Sequence, residues 1–219
     1  MSKLIIVGDS AFAEIAYEYF THDSSYDVVA FAVERDYITK SHLFGLPIIP
    51  LEDIKIYSPK EHHFFVALTY GKMNRNRERL FNIVMNLGYK LTSYVSSKAF
   101  LWKNVEIGHN TFIFENNVIQ PFVKIGDNTI LWSGNHIGHH STIGNHVFIS
   151  SHVVVSGFST IKDYCFCGVN STISNNVTVE KDTWIGPNVL VTKNTSEGAL
   201  VKQDPSKPAS VTTHKFFRV

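Results

Sequence analysis

The chain has 219 residues, 44% of them hydrophobic and 18% charged, with 20 Lys and Arg against 19 Asp and Glu for a formal net charge of +1. That supply of apolar residues excludes wholesale disorder. The balanced charge, even across both halves, advertises neither nucleic acid nor an anionic membrane. No apolar run approaches the roughly 18–20 residues of a membrane span, and the opening MSKLIIVGDS is too short in apolar residues for a signal-peptide core. The two cysteines, Cys165 and Cys167, stand at i and i+2, a spacing that rarely bridges. The expectation is a soluble, cytoplasmic protein.

The first half reads as α/β. LIIVGDS is an apolar strand ending in a Gly turn, and Phe12 to Phe20 is an amphipathic helix with Ala16 and Tyr19 inward. DVVAFAVE is a second buried strand that ends in Glu34, and HHFFVALTY is a third. Met73 to Asn86 reads as a helix with Met73, Leu80, Val84 and Leu87 at core spacing and Gly88 as its stop. TSYVS is a last short strand. Strands alternating with helices predict a parallel, doubly wound, Rossmann-like sheet.

The second half has a different grammar. Steps of six from Ile107 meet Ile107, Ile113, Ile119, Ile125, Leu131, Ile137, Ile143, Ile149, Val155, Ile161, Cys167, Ile173, Val179, Ile185 and Val191, aliphatic at every position but Cys167. Two residues before each anchor sits a small, polar or β-branched residue, and Gly often follows the anchor. A six-residue period is a short strand plus a tight corner. Three such units close a triangular coil of 18 residues, and coils stack at about 4.8 Å. The pattern predicts a parallel β-helix of about five coils, with Asn117 and Asn135, 18 residues apart, stacked inside it as an amide ladder. The predicted division is an α/β domain over 1–97, a β-helix over 98–195 and a C-terminal loop and tail over 196–219.

Several positions carry possible chemistry. Gly8, Asp9 and Ser10 form the turn beyond the first strand, where exposed helix amides meet phosphates. The GxGxxG fingerprint is absent, which disfavours a nicotinamide cofactor and leaves a nucleotide or nucleotide sugar. Glu34, at the end of strand two, suits ribose hydroxyls. Lys72 and Asn74, opening the second helix, suit a phosphate. His136, His139 and His140 lie close together, but no Cys or acidic ligand is near and coil corners splay side chains, so no metal is expected.

The 18-residue register singles out His139. It lies two positions past the anchor Ile137, at a corner, and the same corner one coil later is Gly157. A base beside an unhindered amide is the constellation of acyl transfer. The base takes the proton of the attacking amine or hydroxyl, and the amide holds the oxyanion.

The repeat resembles the hexapeptide-repeat, left-handed parallel β-helix acyltransferases. The stretch Ile137-Gly138-His139-His140-Ser141-Thr142-Ile143-Gly144 is similar to the I-x-H-E-x-x-I-G segment of one branch. That branch joins a small Rossmann-like domain to the β-helix and includes bacterial N-acetyltransferases of nucleotide-linked 4-amino sugars and sialic-acid O-acetyltransferase-like proteins. The resemblance implies that His139 is the general base and that Gly157 supplies the oxyanion amide. It departs at His140, where the branch carries a Glu that orients the base. His140 is a further catalytic candidate, and its column, Phe122, His140, Phe158, equally suits aromatic packing.

The resemblance further implies acetyl-CoA as co-substrate, bound along an edge between the subunits of a homotrimer. Gly157 and Asn175 share one corner column, and Lys193 and Lys202 are candidates for the coenzyme phosphates among Lys162, Lys181, Lys193 and Lys202. Gly198 to Pro208 resembles the family's post-helix loop, with K-Q-D-P-S-K-P-A in place of G-x-P-A. Phe112, Phe114, Trp132, Phe148 and Phe166 are outward positions, expected to be covered by partner subunits. The expected function is acetyl transfer from acetyl-CoA to a nucleotide-linked amino sugar, a 4-amino-4,6-dideoxyhexose, in surface glycan (O-antigen or lipopolysaccharide) biosynthesis. The alternatives are sugar or sialic-acid O-acetylation and a non-catalytic β-helix binding module.

Overall fold

The computed structural model describes residues 2–204 and 208–219. The first half runs β1 (Ser2–Val7), α1 (Ala11–His22), β2 (Tyr26–Val33), β3 (His42–Leu43), β4 (Leu46–Pro50), β5 (His62–Val66), α2 (Arg75–Asn86) and β6 (Lys90–Leu91). The sheet order is β3-β4-β2-β1-β5-β6, parallel throughout except for β3 on β4. The apolar runs are continuous because both faces of the sheet are covered. Leu4 and Ile6 pack with Phe12, Ala13, Ala16 and Phe20 of α1. Ile5 and Val7 pack with Leu80, Phe81 and Val84 of α2. α2 starts at Arg75 rather than Met73 because Lys72, Met73 and Asn74 all take left-handed backbone, with φ of 53°, 51° and 64°.

From Tyr94 the chain winds into a prism of two-residue strands. The first face stacks Tyr94–Val95, Phe112–Ile113, Ile130–Leu131, Phe148–Ile149, Phe166–Cys167, Trp184–Ile185 and Leu200–Val201. The second runs from Phe100–Leu101 to Leu190–Val191 and the third from Glu106–Ile107 to Thr178–Val179. Pairing is parallel and in register at 18 residues on all three faces, until the last turn of the first face, where Trp184 meets Leu200. Every anchor from Ile113 to Val191 lies in one buried core. Stacked parallel faces built from hexapeptide repeats fit the left-handed β-helix.

Three expectations about the repeat change. Among the described residues the faces hold seven, six and five strands, so there are six turns rather than five. The three extra strands are Tyr94–Val95, which pairs with Phe112–Ile113 rather than with the α/β sheet, Phe100–Leu101, which starts the second face, and Leu200–Val201, which rejoins the first face inside the segment expected to be tail. Asn117 and Asn135 are buried as expected, but their Nδ2 groups donate to main-chain carbonyls, at Phe114 and Trp132, and not to each other. Beyond Lys202, α3 (Thr213–Phe217) is exposed, and residues 205–207 of the family-like loop lie outside the described residues.

The largest correction concerns the outward aromatics. Phe112, Phe114, Phe148 and Phe166 are buried, and they share a single core with Phe12, Phe20 and Phe65 of the α/β unit. Phe12 meets Phe112 edge-on at 5.5 Å, and Tyr70 does the same to Phe148 at 4.8 Å. The surface is covered by this chain's own first half. At roughly 1.5–3 kcal/mol per buried large side chain, that contact makes the two halves one cooperative body.

Candidate active site

The corner between the second and third faces carries His139. The strand His136–Ile137 ends at Gly138, where a Cβ would lie 2.5 Å from the Gly157 nitrogen, so only glycine lets the next coil stack so closely. His139 is exposed, and its main-chain N–H donates to Gln120 Oε1 at 2.9 Å. Its ring lies against the next coil: a Cβ added to Gly157 would meet Cε1, Nε2 and Nδ1 at 2.9, 3.0 and 3.3 Å. Gly157 is buried, and its N–H donates to no acceptor among the described residues. Any side chain at 157 would displace the imidazole. An imidazole and an amide with no acceptor among the described residues thus share one corner, the placement that the 18-residue step implied.

His140 takes left-handed backbone, φ 59°. Its ring stacks between Phe122 at 4.5 Å and Phe158 at 4.9 Å. Its Nδ1 lies 3.2 Å from His139 Nδ1. Asn175 and Lys193 continue the corner column above Gly157, both exposed. Lys202 does not join them. It leaves the first face after Leu200–Val201 and lies beside Met73, Asp182 and Trp184, because the last turn rejoins that face.

The sequence-predicted nucleotide residues gather at the carboxyl ends of β1, β2 and β5, but they are not equally free. The Gly8 N–H is spent on Ala32 O at 2.8 Å, and at φ 120° with Ala67 O 3.1 Å from a Cβ the position needs glycine as a turn. Asp9 offers its carbonyl to Lys40 Nζ at 3.2 Å, and Ser10 caps α1 through its carbonyl alone. Glu34 is held by Arg79 through two hydrogen bonds of 2.7 Å, which pull its carboxyl below the usual range; it is not free for a ribose. Lys72 is exposed. Asn74 is buried, with Nδ2 donating to His146 O at 2.6 Å, so it ties the two halves together and does not face solvent.

Asn74 belongs to a seam that sequence reasoning missed. Arg77 of α2 is fully buried, and its guanidinium donates to the carbonyls of Val66, Leu68, Asn110 and Asn128. Burial lowers its pKa to about 9, so it stays charged at neutral pH. Beside it runs an amide chain: Val66 N–H to Asn110 Oδ1, Asn110 Nδ2 to Asn128 Oδ1, and Asn128 Nδ2 to His146 Nδ1, at 2.7, 2.7 and 2.9 Å. Asn110, Asn128, His146 and Tyr164 are 18 residues apart, so the spacing was readable. The fact that α2 covers this column was not. Among the described residues no group of three His, Cys, Asp or Glu side chains is placed to hold a metal ion, and no helix is long and apolar enough to cross a membrane.

The prism of stacked hexapeptide coils is where the comparisons with known proteins bear. The family profile "Bacterial transferase hexapeptide (six repeats)" matches residues 104–139 and 123–157, so the resemblance read from the repeat holds. Among solved structures, the acetyltransferase domain of PglB from Neisseria gonorrhoeae FA1090 matches with a TM-score of 0.80 at 20% identity, covering 90% of this chain and 95% of that one. PerB from Caulobacter crescentus, in complex with CoA and GDP-perosamine, gives 0.80 at 20% identity over 90% and 92%. WeeI from Acinetobacter baumannii AYE gives 0.59 at 19% identity over 90% and 95%. These likenesses are of fold, and they span both halves of the chain. No curated protein sequence matches it.

Proposed function

We propose that this chain is an acetyl-CoA-dependent N-acetyltransferase of a nucleotide-linked amino sugar, a 4-amino-4,6-dideoxyhexose used in surface glycan synthesis. The observation that carries the reading is the His139 imidazole lying against Gly157, whose amide has no acceptor among the described residues. The fold shared with PerB, a structure that holds CoA and GDP-perosamine, supports the choice of donor and acceptor.

In the reaction the neutral sugar amine attacks the thioester carbonyl. Its nitrogen gains positive charge as the C–N bond forms, and His139 Nε2 takes the proton. The Gly157 N–H donates to the oxyanion of the tetrahedral intermediate. As the intermediate collapses the C–S bond breaks, and the imidazolium returns its proton to the CoA sulfur. Lys193, in the same column, is the candidate for the coenzyme phosphates. In this reading the α/β half holds the nucleotide at the turn Asp9–Ser10, and the exposed Lys72 is a candidate for its phosphates.

The reading includes a homotrimer, and the placement of these parts supports a site shared between chains. The α/β half rests on the first face and on the corner holding Asn110, Asn128 and His146, whereas His139 stands on the corner between the other two faces. An acceptor held by one chain's α/β half is therefore served by the base of a neighbour. The second face offers Phe100, Val118, Val154 and Leu190, all exposed, as the contact. The expected compartment is the cytoplasm.

The deciding experiment measures CoA release from acetyl-CoA with a panel of nucleotide-linked 4-amino sugars and their 4-hydroxy analogues. Release with the amine alone supports the reading. Release with the hydroxyl alone establishes O-acetylation, and release with neither overturns catalysis.

A further inference from the structure

Resting on that reading, the geometry points to His140 as the positioning residue of the base: a neutral imidazole that accepts the His139 Nδ1–H, carries part of the proton during turnover, and is held for that task between two phenyl rings.

The argument starts from tautomers. For His139 Nε2 to accept the substrate proton, its hydrogen must sit on Nδ1. That nitrogen faces His140 Nδ1 at 3.2 Å, so one of the pair must be a donor and the other a lone pair. With the hydrogen on His139, His140 accepts at Nδ1 and keeps its own hydrogen on Nε2. The contact accommodates the tautomer in which His139 is a base at Nε2, and turnover requires that one. Among the described residues no charged side chain pairs with either ring, and Gln120 is spent on the His139 main chain.

The next step concerns charge. When His139 becomes an imidazolium, its Nδ1–H strengthens toward His140, and the proton is shared across the pair. It returns to His139 as Nε2–H leaves for the CoA sulfur, so no proton is gained or lost over the cycle. An imidazole without a carboxylate is a weak home for that charge. Here it lies nearly parallel to both neighbours, 27° to Phe122 and 17° to Phe158, and the ring faces attract a cation. Phe158 also meets His139 edge-on at 5.0 Å, which fixes the second ring against the first.

Packing alone does not require a histidine here. Phe122 and Phe158 occupy the same column position with φ of 65° and 58°, against 59° at His140. A phenylalanine at 140 would meet the same backbone and continue the same stack. The ring nitrogen is what distinguishes the residue present.

That difference defines the test, on the full-length protein with acetyl-CoA and its acceptor. His140→Phe keeps the stack and deletes the acceptor; kcat is expected to fall on the order of 10–100-fold, with both KM values and the melting temperature unchanged. His140→Glu restores an acceptor and adds a negative charge; kcat is expected to stay within a few-fold of the parent, with the acid limb of its pH profile moved up by about one unit. A His140→Phe enzyme within twofold of the parent reduces His140 to packing and overturns the inference. If that variant melts early, the His140→Glu profile decides, and an unmoved acid limb overturns the inference by itself. His139→Asn is measured alongside. If it too retains activity, the base assignment has failed, not merely its partner.

Discussion

Two corners of one prism carry histidines at the same place in the hexad, and they do different work. His140 and His146 each follow an aliphatic anchor by three residues, each takes left-handed backbone, and each stacks on an aromatic ring. His140 is exposed beside His139. His146 is covered by α2, hydrogen-bonded to Asn128, and held at Nε2 3.8 Å from Glu78. An open corner leaves nitrogen atoms free for a substrate. A covered corner spends them on joining two halves of a chain. The coil supplies the position, and what docks on the coil decides the role.

The sharpest break in that comparison is His139→Asn. It is expected to lower kcat by roughly 10²–10⁴-fold with little change in KM, because it removes the proposed general base, while the melting temperature stays put. Steady-state CoA release and differential scanning fluorimetry measure both.

Arg77→Leu should do the reverse. It strands the four carbonyls of Val66, Leu68, Asn110 and Asn128 at roughly 1–3 kcal/mol each, offset by the desolvation the cation no longer bears. A net loss on the order of 3 kcal/mol is expected, or a melting temperature lower by about 6–12 °C. An unchanged melting curve would remove Arg77 from the seam.

Asn128→Leu cuts the amide chain in the middle and leaves Asn110 Nδ2 only its longer bond to Val66 O, at 3.4 Å. A smaller loss, about 1–3 kcal/mol, is expected from chemical denaturation.

The mildest effect comes from pH. Burial holds the His146 pKa below its usual value, against the opposing pull of Glu78. Unfolded chain therefore binds the proton more readily than folded chain, so stability falls as pH drops below about 6.5, the unfolded value of His. His146→Gln should flatten melting temperature against pH between about 7 and 5. Asp23, drawn down to about 2 mainly by the hydroxyl of Tyr94, loses its contribution only in stronger acid, below about pH 4, which separates the two.

The aromatics of the first face show where sequence reasoning stopped. Phe112, Phe148 and Phe166 stand out as outward and apolar at fixed steps, and the pattern is silent on what lies over them. A partner subunit and the chain's own first half satisfy an apolar face equally well, since burial is not directional. Because the chain covers itself, removing residues 1–95 would strip the seam and the first coil strand, and an intact β-helix is not expected to survive it.

By itself the sequence determined the repeat, its register and the corner. An aliphatic residue at every sixth position cannot be buried except by stacking, and stacking at 18 residues sets His139 under Gly157 whatever else the chain does. It also determined the doubly wound sheet, through continuous apolar strands separated by helices. Only the tertiary structure decided that Glu34 belongs to Arg79, that Asn74 and Arg77 are buried, and that Lys202 lies apart from the column of Lys193. Those contacts join residues from 11 to 72 positions apart at an angle between two halves that no period encodes. A polar side chain in a sequence looks the same whether it will meet a ligand or a carbonyl of its own chain.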